Sequence, residues 1–180
     1  MKYSRYRILE DCIVFDFYEF RFSSLRKNNM LTLDRIKEVD FTTIPCSMEI
    51  DMGELIFFNH NDTERIKAFT EKHQLPVAQK ADVWELLCAP FLDTELTEAE
   101  IRHNTEKLEQ LHFSISTVKQ IRKKIKFTLL GTWEWQYLGH WDVLAAKQAR
   151  SLVYRFNGKD FYWWTMELAL QGKRTSSKME

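Results

Sequence analysis

The stretch GELIFFNHNDTERIKAFTEKHQLP, residues 53–76, limits the fold more than any other part of the chain. Leu55, Ile56, Phe57 and Phe58 are consecutive apolar residues of high β-propensity, which suits a strand covered on both faces. Asn59-His60-Asn61-Asp62 then supplies side-chain oxygens that compete with a ladder and favour a turn. Asn61 paired with Glu64, or Asp62 alone, is placed to accept from the first N–H groups of a helix. Ile66, Phe69 and His73 form one apolar stripe on that otherwise charged helix, and Pro76 stops it. Such a helix must fold back on a sheet built by what precedes it. Five short strand-like runs come before this stretch, and only helical-looking sequence comes after.

The earlier runs fit that requirement. Arg5 to Leu9 and Cys12 to Phe17 read as strands flanking a turn at Glu10-Asp11. In the second, Ile13, Phe15 and Phe17 alternate with polar neighbours, a half-buried antiparallel pattern. Phe20 and Phe22 move the apolar set to even positions, so a bulge or bend is expected at Tyr18-Glu19. Met30 to Leu33, Val39 to Phe41 and Cys46 to Ile50 supply further strands, with a corner or helical turn at Asp34-Arg35-Ile36. Gly53 is the residue best suited to a positive φ in the turn before the last strand. Many short strands followed by one amphipathic helix predict a small antiparallel sandwich or partial barrel, closed at one end by the helix.

The phrases MLTLDRIKEVDF and GELIFFNHNDTERIKAF carry a family likeness. The first resembles the strand, polar corner and strand of bacterial pleckstrin-homology-like domains; the second is similar to their last strand running into the capping helix. The resemblance covers residues 1–76. Near an early hairpin only Arg21, Arg26 and Lys27 are basic, so it implies protein binding or docking rather than inositol-lipid binding.

Residues 82–171 read as a mainly helical region after a short connector, Leu75 to Asp82. Val83 to Ala89 forms one or two helical turns before Pro90. Thr97 to Glu100 is a capping-box start for a helix over Glu98 to Leu111, with Ile101, Leu108 and Leu111 inward. Thr117 with Gln120 repeats the signal for a helix burying Val118, Ile121, Ile125 and Leu129. His140 onward is helical through Ala146, with SLVYRF open to strand or helix. Asn157-Gly158 predicts a turn joining either a hairpin or two antiparallel helices, and Asp160 to Leu170 favours helix. Residues 172–180 read as a polar tail. The whole is an α+β chain.

Composition narrows the function. Formal net charge is zero, which argues against a protein built mainly to grip nucleic acid. The three cysteines, Cys12, Cys46 and Cys88, are odd in number and set in apolar runs, the habit of reduced cytosolic thiols. With no signal-like start and no apolar run of bilayer length, the expected setting is cytoplasmic. No glycine-rich phosphate loop, nucleophile elbow or metal spacing occurs, so neither cofactor nor metal is implied.

Five of the six tryptophans follow Gly131. Trp133, Trp135, Tyr137, Trp141, Trp163 and Trp164, with Phe161 and Tyr162, are a ligand or partner surface, or else the core of the helical half. Within that setting Glu134, His140 and Asp142 form a candidate polar site, because a carboxylate walled by tryptophan has its pKa raised by desolvation. Cys88 is the least implausible nucleophile, against the alternative of a buried inert thiol. Lys119, Arg122, Lys123 and Lys126, with Lys124, make one basic helix face, suited to phosphates, a membrane surface or simply solvent. The expected function is a non-enzymatic binding or scaffolding protein that meets another protein or a second copy of itself. The alternative is an enzyme or small-ligand binder with its pocket between the two halves; contact through the basic face is a third.

Overall fold

The computed structural model describes residues 4–78, 82–92, 96–129, 138–149 and 151–176, the last helix without the side chains of 151–156 and 172–176. The chain divides into two compact units, 1–80 and 81–180. Among the described residues no helix is long and apolar enough to cross a membrane.

The first unit holds two sheets that do not close into a barrel. Strands β1 (Arg5–Ile8), β2 (Cys12–Phe17) and β3 (Met30–Thr32) form an antiparallel sheet in sequence order. Strands β4 (Ile36–Asp40), β5 (Ser47–Ile50), β6 (Glu54–Phe57) and β7 (Val77–Ala78) form a second, in the order β6-β5-β4-β7. All pairings are antiparallel except β7 on β4. The parallel β7 overturns the reading of Leu75 to Asp82 as connector alone. Two paired residues are too few to show any periodicity in sequence.

Alternation explains β2: Ile13 and Phe15 are buried while Asp16 is exposed. The expected irregularity lies earlier than predicted. Arg5 pairs with Phe17 but Tyr6 with Phe15, so Asp16 is the extra residue of a bulge, and the strand ends at Phe17. Phe20, though fully buried, belongs to no strand. Gly53 does take a positive φ, 71°, between β5 and β6.

Tyrosine hydroxyls join the two sheets. The Tyr18 hydroxyl accepts the Phe57 N–H at 2.9 Å, and the Tyr6 hydroxyl accepts the Asn59 N–H at 3.1 Å. The Phe57 N–H lies at the end of β6, an edge strand of its sheet, and the Asn59 N–H two residues beyond it. Tyr6, Phe15, Tyr18, Phe20, Phe57 and Phe58 pack ring against ring at centroid distances of 5.2–6.0 Å. Each of the buried phenylalanines Phe15, Phe20, Phe57 and Phe58 stabilises the fold by about 1.5–3 kcal/mol through burial. Glu54, wholly buried, accepts the Ser24 N–H with both oxygens at the start of a short 3₁₀ turn, Ser24–Arg26.

Helix α1 (Thr63–Lys72) buries Ile66 and Phe69 as the stripe predicts. Its expected cap is corrected. Asp62 makes no capping bond; its carboxylate instead accepts from Tyr6, Arg65 and Asn59. Burial pulls the Asp62 pKa upward, but those bonds outweigh it and hold the carboxyl below its ordinary value. The helix also stops before Pro76. Gln74 takes φ 51°, and the N–H groups of Gln74 and Leu75 return to the carbonyls of Glu71 and Thr70, a Schellman ending.

The second unit is helical: α2 (Val83–Cys88), α3 (Glu98–Gln110), α4 (Ile115–Lys126), α5 (His140–Ala149) and α6 (Ser151–Ser176). The Thr97–Glu100 capping box opens α3, but Ile101, expected inward, is 52 % exposed; Leu108 is buried and Leu111 half-buried. Helix α3 ends like α1, with His112 at φ 62° and Phe113 and Leu108 buried together. Ser114 rather than Thr117 caps α4, accepting the Thr117 N–H at 3.1 Å. The predicted face, Val118, Ile121, Ile125 and Leu129, is buried. Of the two readings of Asn157-Gly158, a hairpin or a joint between helices, the structure has helix on both sides of a break at Asn157 (φ −141°, ψ 18°). Helical backbone then runs to Ser176, taking in the first five residues of the expected tail.

Candidate functional site

The most chemically loaded part of the second unit is where α2 and α5 begin. Both helices need acceptors for their first N–H groups, and two aspartates supply them. Asp82 caps α2, its Oδ1 accepting the Trp84 N–H at 2.8 Å. Its Oδ2 accepts the His140 N–H of α5 at 3.4 Å, so one carboxylate serves two helix starts. Asp142, in the first turn of α5, reaches back to accept the Gly139 N–H at 2.8 Å.

Trp84 forms the apolar wall. Fully buried, it stacks on the His140 ring (centroids 5.5 Å apart, 15° between planes) and meets the Trp164 ring edge-on at 5.8 Å. Its Nε1 donates to the Thr165 carbonyl of α6 at 3.2 Å. Cys88, at the end of α2, is buried. Arg122 of α4 donates to the carbonyls of Leu87 (3.1 Å) and Leu86 (3.2 Å) near that end.

The electrostatics follow from burial. Asp142 is pushed from its ordinary 3.8 to about 6, first by desolvation and then by the negative charge of Asp82, against the opposing Gly139 bond. The Cys88 thiol is pushed well up by burial, with Asp82 and Asp142 adding to the effect and Arg122 opposing it. Burial likewise lowers the pKa of Arg122. Cys46, in the first unit, is pushed up to about 11, again mainly by burial. High thiol pKa values keep both cysteines as poor nucleophiles. What the α2–α5 cluster can do is hold and exchange a proton on Asp142 near neutral pH. His140, only 3 % exposed, has no ready approach from solvent.

Of the predicted polar site, His140 and Asp142 both lie in the first turn of α5, and Glu134 lies outside the described residues, as do Trp133, Trp135 and Tyr137. Trp141, Trp163 and Trp164 are half-buried, whereas Phe161 and Tyr162 are buried. Trp163 packs at right angles on Tyr162, and Lys124 Nζ sits 3.5 Å from the centre of the Trp164 ring. The basic face is smaller than expected. Lys119, Lys123 and Lys126 are exposed, but Arg122 is half-buried and turned onto the α2 carbonyls. Asp82 and Trp84 are the members that sequence reasoning missed. The available signal was an aspartate just before the apolar run Val83-Trp84, a helix-start pattern.

Among the described residues no group of three His, Cys, Asp or Glu side chains is placed to hold a metal ion. No protein-family model, no curated protein and no solved structure matches the chain.

Proposed function

We propose that the chain is a non-enzymatic interaction protein whose helical unit meets another protein, in the first instance a second copy of itself, through its tryptophans. One observation carries this reading. Trp84, Phe113, Phe161 and Tyr162 are buried, yet Trp141, Trp163 and Trp164 of the same unit keep part of their rings in solvent. Half-exposed tryptophans held by fixed neighbours, as Trp163 is by Tyr162, offer large contact area at little entropic cost. The first unit enters the proposal as a pleckstrin-homology-like module serving the same binding role. Its strand β6 running through a 3₁₀ turn into α1 supports that likeness, while β7 departs from the expected order.

Light scattering over a hundredfold concentration range tests self-association, with Trp163→Ala as the control. The proposal expects a mass above monomer that rises with concentration and falls in the variant. A strict monomer throughout, insensitive to the substitution, sinks it.

The second reading, a small-ligand or acid–base site, is favoured by Asp142 alone, whose pKa of about 6 beside Asp82 suits proton exchange at working pH. Saturable tryptophan-fluorescence changes with a metabolite, abolished by Asp142→Asn, would favour it.

A further inference from the structure

Helix α4 shows solvent a face that neither the fold nor the proposed tryptophan surface uses. Ile115, Lys119, Lys123 and Phe127 are spaced four residues apart, a row roughly 18 Å long that winds by about 120° around the helix, so the two lysines face outward between Ile115 at one edge and Phe127 at the other. All four are exposed, Ile115 by 54 % and Phe127 by 69 %. Lys126 is exposed beside the row, and no acidic residue occurs between Ile115 and Phe127. Among the described residues none of Lys119, Lys123 and Lys126 is in an ion pair. The opposite face of the helix, Val118, Ile121 and Ile125, is committed to the core.

From this we infer that α4 lies along an anionic lipid surface, with Lys119, Lys123 and Lys126 on the headgroups and Ile115 and Phe127 entering the interface at the two ends and edges of the row. Two features choose lipid over other polyanions. An apolar side chain at each end of a cationic stripe has something to gain from a bilayer, where acyl chains lie beneath the charge, and nothing from a phosphodiester backbone. The face is also all lysine, a flexible stem able to lie on apolar surface while its ammonium reaches a headgroup. Its one arginine, Arg122, is engaged by the carbonyls of Leu86 and Leu87. Because the whole chain is neutral, attraction depends on this local stripe, and the glutamates of α3 (Glu98, Glu100, Glu106 and Glu109) weaken it at long range.

Vesicle sedimentation decides the matter. The full chain is mixed with phosphatidylcholine vesicles, with vesicles carrying about a third phosphatidylserine, and with a duplex oligonucleotide at matched salt. Binding is expected to the phosphatidylserine vesicles only, falling as salt rises. Each lysine near an anionic surface is worth about fivefold in affinity, so Lys119→Gln/Lys123→Gln/Lys126→Gln should weaken binding roughly 100-fold. Ile115→Ser/Phe127→Ser should weaken it on the order of tenfold or more without changing the salt slope. All five side chains are exposed, and unchanged urea midpoints confirm that the variants fold. No binding to anionic vesicles, or equal binding by the lysine variant, overturns the inference. So does tighter binding to the duplex that ignores Ile115 and Phe127, which would assign the face to nucleic acid.

Discussion

Replacing Asp142 with asparagine keeps an oxygen that can accept the Gly139 N–H but removes the charge that burial penalises. The direction of the effect follows from linkage. The folded state holds the Asp142 proton up to about pH 6, whereas the unfolded chain releases it near 3.8. Between those values the folded state binds more protons than the unfolded one, so stability falls as pH rises and levels off above about 6. Below about 3.8 both states are protonated and the group favours neither. At about 1.4 kcal/mol per unit the gap corresponds to a ceiling of about 3 kcal/mol at pH 7. The carboxyl is not fully buried, so solvent screening reduces this to roughly 1–2 kcal/mol.

Asp142→Asn is therefore expected to match the native chain near pH 4 and to exceed it by roughly 1–2 kcal/mol at pH 7, raising the melting temperature by about 2–8 °C. The protein carries its own probe. All six tryptophans fall between Trp84 and Trp164, so urea unfolding followed by tryptophan fluorescence reads the second unit alone. Asp82 and Cys88 are coupled to Asp142 by charge, so the difference between the two proteins reads the coupled site rather than Asp142 in isolation. Asp82→Asn gives a second arm: without its charge the Asp142 pKa drops, moving the native loss of stability to lower pH. An asparagine variant less stable than native at pH 7, or two parallel pH profiles, would refute the linkage.

Tyr18→Phe removes the acceptor of the Phe57 N–H and should cost about 1–3 kcal/mol, visible as faster amide exchange at Phe57 and a lower circular-dichroism melt. Arg122→Met leaves the Leu86 and Leu87 carbonyls without their donor and should cost roughly 1–3 kcal/mol by fluorescence-detected unfolding, while Lys123→Met on the exposed side changes stability by less than about 0.5 kcal/mol. His112→Gly relieves a positive φ at the end of α3 and should leave stability unchanged or raise it by up to about 1 kcal/mol; a clear loss would show that the His112 side chain contributes a contact of its own.

Local signals in the sequence place most elements, because periodicity and capping are properties of neighbours. The strand Glu54–Phe57, the turn at Gly53, the Thr97 capping box and the buried stripe Val118, Ile121, Ile125 and Leu129 all rest on residues within a few positions of one another. What local rules misread depends on distant partners. Asp62 is a sound capping residue by those rules, yet Tyr6, 56 positions away, takes part of its carboxylate. Arg122 looks like one more base on a solvated helix until the end of α2, 35 positions earlier, presents bare carbonyls to it. Ser114 and Thr117 are both competent caps. The chain reversal at His112 and Phe113 delivers Ser114 at the helix start and leaves Thr117 inside the first turn.

The same distinction bears on how the Asp82–His140–Asp142 cluster should be understood. The sequence sets His140 and Asp142 within the aromatic cluster that follows Gly131 and so anticipates a raised carboxyl pKa, but that cluster does not include Trp84. The ring that His140 stacks on is Trp84, 56 residues earlier, and the charge that helps raise Asp142 comes from Asp82. Each of these carboxylates also has a structural role. Asp82 caps α2 and meets the start of α5, and Asp142 closes the first turn of α5. Isosteric substitution separates that role from any chemistry. If Asp142→Asn stabilises the unit and leaves association and vesicle binding intact, the carboxylate acts there only as a cap held at an energetic cost. If the variant is stabilised but loses a ligand response, the cost is the signature of a site, since function most often accompanies strained and desolvated charge that lowers stability.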